Sequence, residues 1–166
     1  MFPKIFQYGD FFLPTYGVLV ALAFLVGLLI TTRLAKRVGM DQELVVNLVV
    51  YCALAGLVGA KLLMFVFDWD HFRSNPADMF SLATLRAAGV YQGGLVLAIL
   101  TAFWYVRKHG LPWLPTFDVF APGIALGHGI GKLGCFAAGC CWGKECDLPW
   151  AVTFRNPDAN ALTGVP

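Results

Sequence analysis

Four apolar runs constrain this chain more than any other feature. Leu13–Thr32 and Leu44–Phe67 reach or exceed the ~20 residues a helix needs to cross the hydrocarbon layer of a bilayer. Val90–Val106 stands at the short edge of that range. Phe117–Cys141 is the fourth run, interrupted by Asp118, His128, Lys132 and its glycines. A soluble helical core is the alternative, but four such runs in so short a chain count against it. With 58% of the 166 residues hydrophobic and 13% charged, the chain is far more apolar than an average soluble domain. The expected fold is all-α, a polytopic transmembrane helical bundle of about four spans. Residues 1–143 form its membrane domain, and 144–166 a short, irregular extracytoplasmic tail. The first run exceeds the ~7–15 residues of a signal h-region and has no small-residue cleavage site after it, so it is expected to remain as an anchor.

Charge in the short loops sets the expected orientation. Arg33, Lys36 and Arg37 follow the first run, and Arg107, Lys108 and His109 follow the third. The loop between runs two and three carries Asp68, Asp70 and Asp78 against Arg73 and Arg86. The positive-inside rule puts both basic loops in the cytoplasm. The N-terminus, the Asp68–Arg86 loop and everything beyond Gly143 are then extracytoplasmic. The tail holds a short β-prone run over 147–154 and a turn signal at Asn156-Pro-Asp.

Polar groups inside an apolar helix need a reason, because burying them in lipid is costly. Gly123, Gly127 and Gly131 recur every four residues, a spacing that lets transmembrane backbones approach closely. His128, Lys132 and Cys135, at i, i+4 and i+7, form a neighbouring polar stripe. Lys61 ends Ala55-Gly-Leu-Val-Gly-Ala-Lys, a second cation deep in an apolar run. Snorkelling to the interface is the plain reading of Lys61. Two such lysines, both toward the extracytoplasmic half, also fit a shared anion, and a phospholipid phosphate is the commonest anion at that depth. Gly93-Gly94 is a poor helix start that would let a substrate approach the backbone. Gln92 before it can donate and accept hydrogen bonds but cannot act as a base.

Two motif matches fail on context. Gly129-Ile-Gly-Lys-Leu-Gly134 fits the dinucleotide pattern but lies inside an apolar helical run rather than between a strand and a helix. Gly127-His-Gly-Ile-Gly-Lys132 is one residue short of a phosphate-binding loop and lacks its Ser/Thr. Cys135, Cys140, Cys141 and Cys146 match no common zinc spacing. A disulfide from Cys140 or Cys141 to Cys135 or Cys146, separate thiols and a metal site all stay open, and no metal ligand is assigned. Cys52 reads as a small buried apolar residue.

Taken in order, these landmarks resemble the bacterial phosphatidylglycerol–prolipoprotein diacylglyceryl transferases. The resemblance rests on Tyr16-Gly17 in the first span, Gly-x-x-x-Gly-Ala-Lys61 in the second and Gly93-Gly94-Leu95 opening the third. Asp118-Val-Phe-Ala-Pro122 then leads to Gly131-Lys-Leu-Gly-Cys-Phe-Ala-Ala-Gly-Cys-Cys-Trp-Gly143, which is similar to the family signature G-R-x-G-N-F-x-N-x-E-x-x-G. Leu148-Pro-Trp-Ala-Val is similar to the segment after it. The signature arginine is Lys132 here, its asparagine is Cys135 and its glutamate Cys140. The histidine often found before the Gly-Gly pair is Gln92. Family members run on through further spans, so the sequence resembles the N-terminal part of a member, or a shortened relative.

The resemblance implies an enzyme of the bacterial inner membrane. It would move diacylglycerol from phosphatidylglycerol to the lipobox cysteine of a prolipoprotein signal peptide, with no cofactor and no nucleic-acid partner. Lys132 would hold the phosphate as a point charge without arginine's bidentate fork. Lys61 would assist, and Tyr16 and Gln92 would position headgroup or thiol. Gly93, Gly94, Cys135, Cys140 and Gly143 would line the substrate site. His128, one turn before Lys132, is the candidate base. A non-catalytic lipid-binding relative and a membrane thiol oxidoreductase are the competing readings.

Overall fold

A computed structural model describes residues 2, 4–8, 11–81, 84, 89–141, 143–144 and 146–154. Arg86, Trp142 and the Asn156-Pro-Asp turn signal lie outside the described residues. The chain gathers into two compact units, Met1–Arg33 with Asp118–Pro166, and Leu34–Phe117. The sequence reading had drawn no internal boundary before residue 143.

Helices dominate, as expected for the all-α class, but the chain opens with an antiparallel hairpin of β1 (Lys4–Tyr8) and β2 (Phe11–Pro14). Phe6 pairs Leu13 and Tyr8 pairs Phe11, with an irregularity between Lys4 and Phe6. The hairpin corrects the expected start of the first span, because Leu13 and Pro14 belong to β2. Helix α1 therefore runs Thr15–Arg37 rather than Leu13–Thr32. It outlasts the apolar run because Arg33–Arg37 are good helix formers, and Lys36 and Arg37 suit the negative end of the helix dipole.

Helix α2 (Gln42–Phe67) starts at Asp41, whose carboxylate accepts from the Glu43 N–H at 2.8 Å. A short helix α3 (Trp69–Ser74) and a 3-10 turn (Pro76–Phe80) follow. Phe72 is buried edge-on against Phe65, their ring centroids 4.9 Å apart. Helix α4 (Tyr91–Lys108) opens where Val90 donates to the Ala60 carbonyl at 3.0 Å, which ties its start to α2. Helix α5 (Trp113–Ala138) carries Pro122 in its interior.

Within Leu34–Phe117, α2 and α4 pack backbone to backbone. A Cβ added to Gly59 would collide with the Gly93 carbonyl, and one on Gly93 with the Gly59 carbonyl. A Cβ on Gly94 would stand 2.7 Å from the Gly56 carbonyl. Four glycines thus bring two helices to the closest approach available to backbones. Val45, Leu48, Tyr105, Val106 and Thr116 are buried in the same unit.

Among the described residues three helices, α1, α2 and α5, are long and apolar enough to cross a membrane. At 23, 26 and 26 residues they exceed the ~30 Å hydrocarbon thickness, at ~1.5 Å per residue. Helix α4 has 18 residues, or roughly 27 Å, and ends in Arg107 and Lys108. It is the one expected span outside that group. Only 17% of each apolar window is buried inside the protein, and Leu25, Leu57, Leu62, Ile124 and Leu133 point outward. Side chains like these belong against lipid. This is a membrane protein.

Candidate lipid-headgroup site and thiol cluster

The site on Met1–Arg33 with Asp118–Pro166 is built on the packing of α5 against α1. A Cβ at Gly123 would strike Thr31 and stand 2.9 Å from the Gly27 carbonyl; at Gly127 it would lie 3.4 Å from the Ala23 carbonyl. Gly134 faces Tyr16 and Leu19, at 3.3 and 3.4 Å. Gly131 meets nothing within 4 Å. The expected glycine face of 123, 127 and 131 is therefore corrected to 123, 127 and 134. The reason is helical drift. Each four-residue step rotates about 40° away from the seam, whereas eleven residues make nearly three whole turns.

With that face committed to α1, the stripe of His128, Lys132 and Cys135 turns away from it. His128 and Lys132 are exposed and Cys135 is half-buried. Lys132 is thus left out of the helix–helix seam, on the exposed side of α5.

The end of α5 decides what lies beside Lys132. Gly139 adopts φ 76°, a left-handed conformation that costs glycine nothing. The Cys140 N–H then donates back to the Cys135 carbonyl at 3.0 Å, and the Gly139 N–H to that of Phe136 at 3.3 Å. This is a Schellman termination. Gly39 and Gly110 close α1 and α4 in the same way. At α5 the reversal returns Cys140 beneath Cys135. Cys141, at φ 61°, turns the chain again and puts its Sγ 3.6 Å from that of Cys140. The sulfurs of Cys135, Cys140 and Cys141 all lie within 4.8 Å of one another.

All five cysteines are free, so of the readings left open by the sequence the disulfide is not formed. Cys52 is half-buried, its S–H directed to the Ala98 carbonyl at 3.6 Å.

The tail folds back over this end of the helix. Phe154 meets Phe136 edge-on at 5.9 Å, and Ala151 donates to the Leu148 carbonyl at 2.8 Å across Pro149-Trp150. Between tail and helix lies an open cleft of about 790 Å³, lined by Lys132, the three clustered thiols, Gly143, Lys144, Cys146, Asp147 and Trp150 among others. The cleft brings together Lys132, Cys135, Cys140 and Gly143 of the expected site residues. His128 is not among its lining residues. Tyr16 lies on the adjoining α1 seam, against Gly134.

The remaining expected residues belong to Leu34–Phe117. Lys61, half-buried, donates from Nζ to the Thr84 carbonyl at 2.5 Å. Gln92 is exposed on the first turn of α4. Gly93 and Gly94, read from sequence as a substrate approach, pack on Gly59 and Gly56 of α2. The sequence reading left Cys141 among the open cysteine alternatives without placing it beside Cys135, and it missed Asp147 and Trp150 in the cleft wall. A glycine directly after an apolar helix and directly before a cysteine was the available signal.

The family model for prolipoprotein diacylglyceryl transferase matches residues 3–166. The chain belongs to that family. Among its relatives, the phosphatidylglycerol–prolipoprotein diacylglyceryl transferase of Parasynechococcus marenigrum is 33% identical over 90% of this chain and 53% of its own length. That of Finegoldia magna is 30% identical over 84% of the chain and 55% of its own length. The Clostridium tetani relative is 29% identical over 94% and 61%. The chain spans about half the length of the curated relatives it matches.

Proposed function

We propose that this chain serves the transfer of a diacylglyceryl group from phosphatidylglycerol to the lipobox cysteine thiol of a prolipoprotein. The observation that carries the reading is Lys132. It is a cation on a membrane-length helix, with its side chain in an open cleft that a lipid headgroup can enter. Family membership supplies the reaction class.

The chemistry asks little of the protein beyond placement and charge. The substrate thiol loses its proton to a base and its sulfur attacks the glycerol carbon bearing the phosphate. The C–S bond forms as the C–O bond to phosphate breaks, and glycerol phosphate leaves. Charge grows on the departing phosphate, so a fixed cation beside it lowers the barrier. Lys132 fills that role, and Lys144 lines the same cleft. Tyr16 and Gln92 orient headgroup or thiol through hydrogen bonds. His128, one turn before Lys132 on α5, is the candidate base. Lys61, in the Leu34–Phe117 unit, donates to the carbonyl of Thr84.

The proposed setting is the bacterial inner membrane, with the N-terminus and the tail from 144 to 166 on the extracytoplasmic side and the loops at 33–37 and 107–109 in the cytoplasm. Residues 1–143 form the membrane domain in this reading. The test is a proteoliposome assay with phosphatidylglycerol labelled in its acyl chains and a lipobox peptide. Labelled peptide from the cysteine form, and none from its serine form, supports transferase activity. Lipid binding with no labelled peptide supports a non-catalytic relative instead.

A further inference from the structure

We propose that Cys135, Cys140 and Cys141 form a three-thiolate binding site for a tetrahedral divalent cation of the Zn²⁺ class. The proposal goes beyond the transfer reaction and does not depend on it.

The geometry is already close to what such an ion demands. Zinc–thiolate bonds of ~2.3 Å at tetrahedral angles hold sulfurs roughly 3.8 Å apart. The Cys140 and Cys141 sulfurs are 3.6 Å apart, and all three lie within 4.8 Å of one another. Small side-chain rotations close the remainder.

The backbone is what holds them there. Cys135 sits on the last turns of α5, and the Cys140 N–H is bonded to the carbonyl of Cys135 itself. Cys141 occupies the left-handed region at φ 61°, uncommon for a residue with a side chain. Two left-handed residues, Gly139 and Cys141 on either side of Cys140, converge three sulfurs that lie up to six positions apart in sequence. Vicinal cysteines bond each other poorly, whereas both can bind one ion.

Entry and charge also fit. The three sulfurs line an open cleft, so a fourth position is available to water. Binding replaces three S–H protons by one ion: three thiols and Zn²⁺ give a Zn(SR)₃ unit of charge −1 and three released protons. Lys132 lines the same cleft and offsets that charge.

The 166-residue chain, purified under reducing conditions in detergent, is titrated with Co²⁺ alone and then with Zn²⁺. One Co²⁺ per chain with an intense near-ultraviolet thiolate charge-transfer band and tetrahedral visible bands is expected, with Zn²⁺ displacing it. Cys135→Ser, Cys140→Ser and Cys141→Ser should each weaken binding on the order of a hundredfold, while Cys52→Ser leaves it unchanged. A measurement on the unaltered chain guards against misfolded variants: Zn²⁺ should protect Cys135, Cys140 and Cys141 from alkylation without affecting Cys52. Absence of the charge-transfer band, or unprotected alkylation of the three cysteines at saturating Zn²⁺, overturns the proposal.

Discussion

The backbone N–H of Cys140 donates to the carbonyl of Cys135 at 3.0 Å, across the glycine that ends α5. Two thiols five positions apart thereby share one helix end, beside the lysine of the proposed headgroup site. The arrangement depends on Gly139 holding φ 76°. Gly139→Ala should cost about 1–2 kcal/mol, because a Cβ is strained in that conformation. Gly139→Asn should recover much of the loss, since asparagine tolerates the left-handed region. Thermal unfolding of both variants in one detergent checks this, and equal losses would place the effect elsewhere.

The glycines of the two helix pairs are not equivalent, and their tolerance should differ. Gly59→Ala forces a Cβ onto the Gly93 carbonyl and should destabilise by about 1–3 kcal/mol, as overpacking does. Gly129→Ala meets nothing within 4 Å and should be neutral, or stabilising by up to ~1 kcal/mol through helix propensity. Unfolding in mixed micelles separates the two. A similar response from both would mean that α2 and α4 do not make this contact in the membrane.

Much of the fold was legible because hydropathy reports apolar length directly. It gave the long helices but not their ends, which capping chemistry decides: Arg33–Arg37 extend α1 beyond its apolar run, and Gly39 stops it. The hairpin Lys4–Pro14 was hidden because its strands are only five and four residues long and its last two residues, Leu13 and Pro14, merge with the first apolar run. The site was legible by residue type at Lys132 and Cys135, which lie on a regular helix whose period places them. Cys140 and Cys141 lie beyond the helix end, where spacing carries no direction until Gly139 is known to reverse the chain. Gly131 was misplaced by a simpler error, since a four-residue repeat drifts off its seam after two steps.

Lys61 has a structural task that can be told apart from anion binding. Lys61→Met removes the donor to the Thr84 carbonyl, a charge-assisted bond worth roughly 1.5–3 kcal/mol in mutational series. Faster hydrogen exchange around Thr84, with phosphatidylglycerol affinity unchanged, is the result expected of a purely structural lysine. A loss of lipid affinity as well would extend the anion site to Lys61.

The proposed orientation follows from the basic loops and is open to direct test. Single cysteines placed at Lys36 and Lys108 should resist a membrane-impermeant maleimide added to intact cells, and should react once the membrane is opened. A cysteine placed at Asp70 should react from outside. Labelling at position 36 in intact cells would reverse the orientation.

The central claim is that Lys132 neutralises a phospholipid phosphate during transfer. The most direct measurement is the rate of labelled diacylglyceryl transfer to a lipobox peptide by the unaltered chain, Lys132→Ala and Lys132→Arg in matched proteoliposomes. Removing the charge should cost on the order of a hundredfold or more, as loss of one transition-state donor commonly does. Lys132→Arg should keep or raise the rate, because guanidinium binds phosphate bidentately. Full activity in Lys132→Ala, or equal losses in the two variants, would contradict the account.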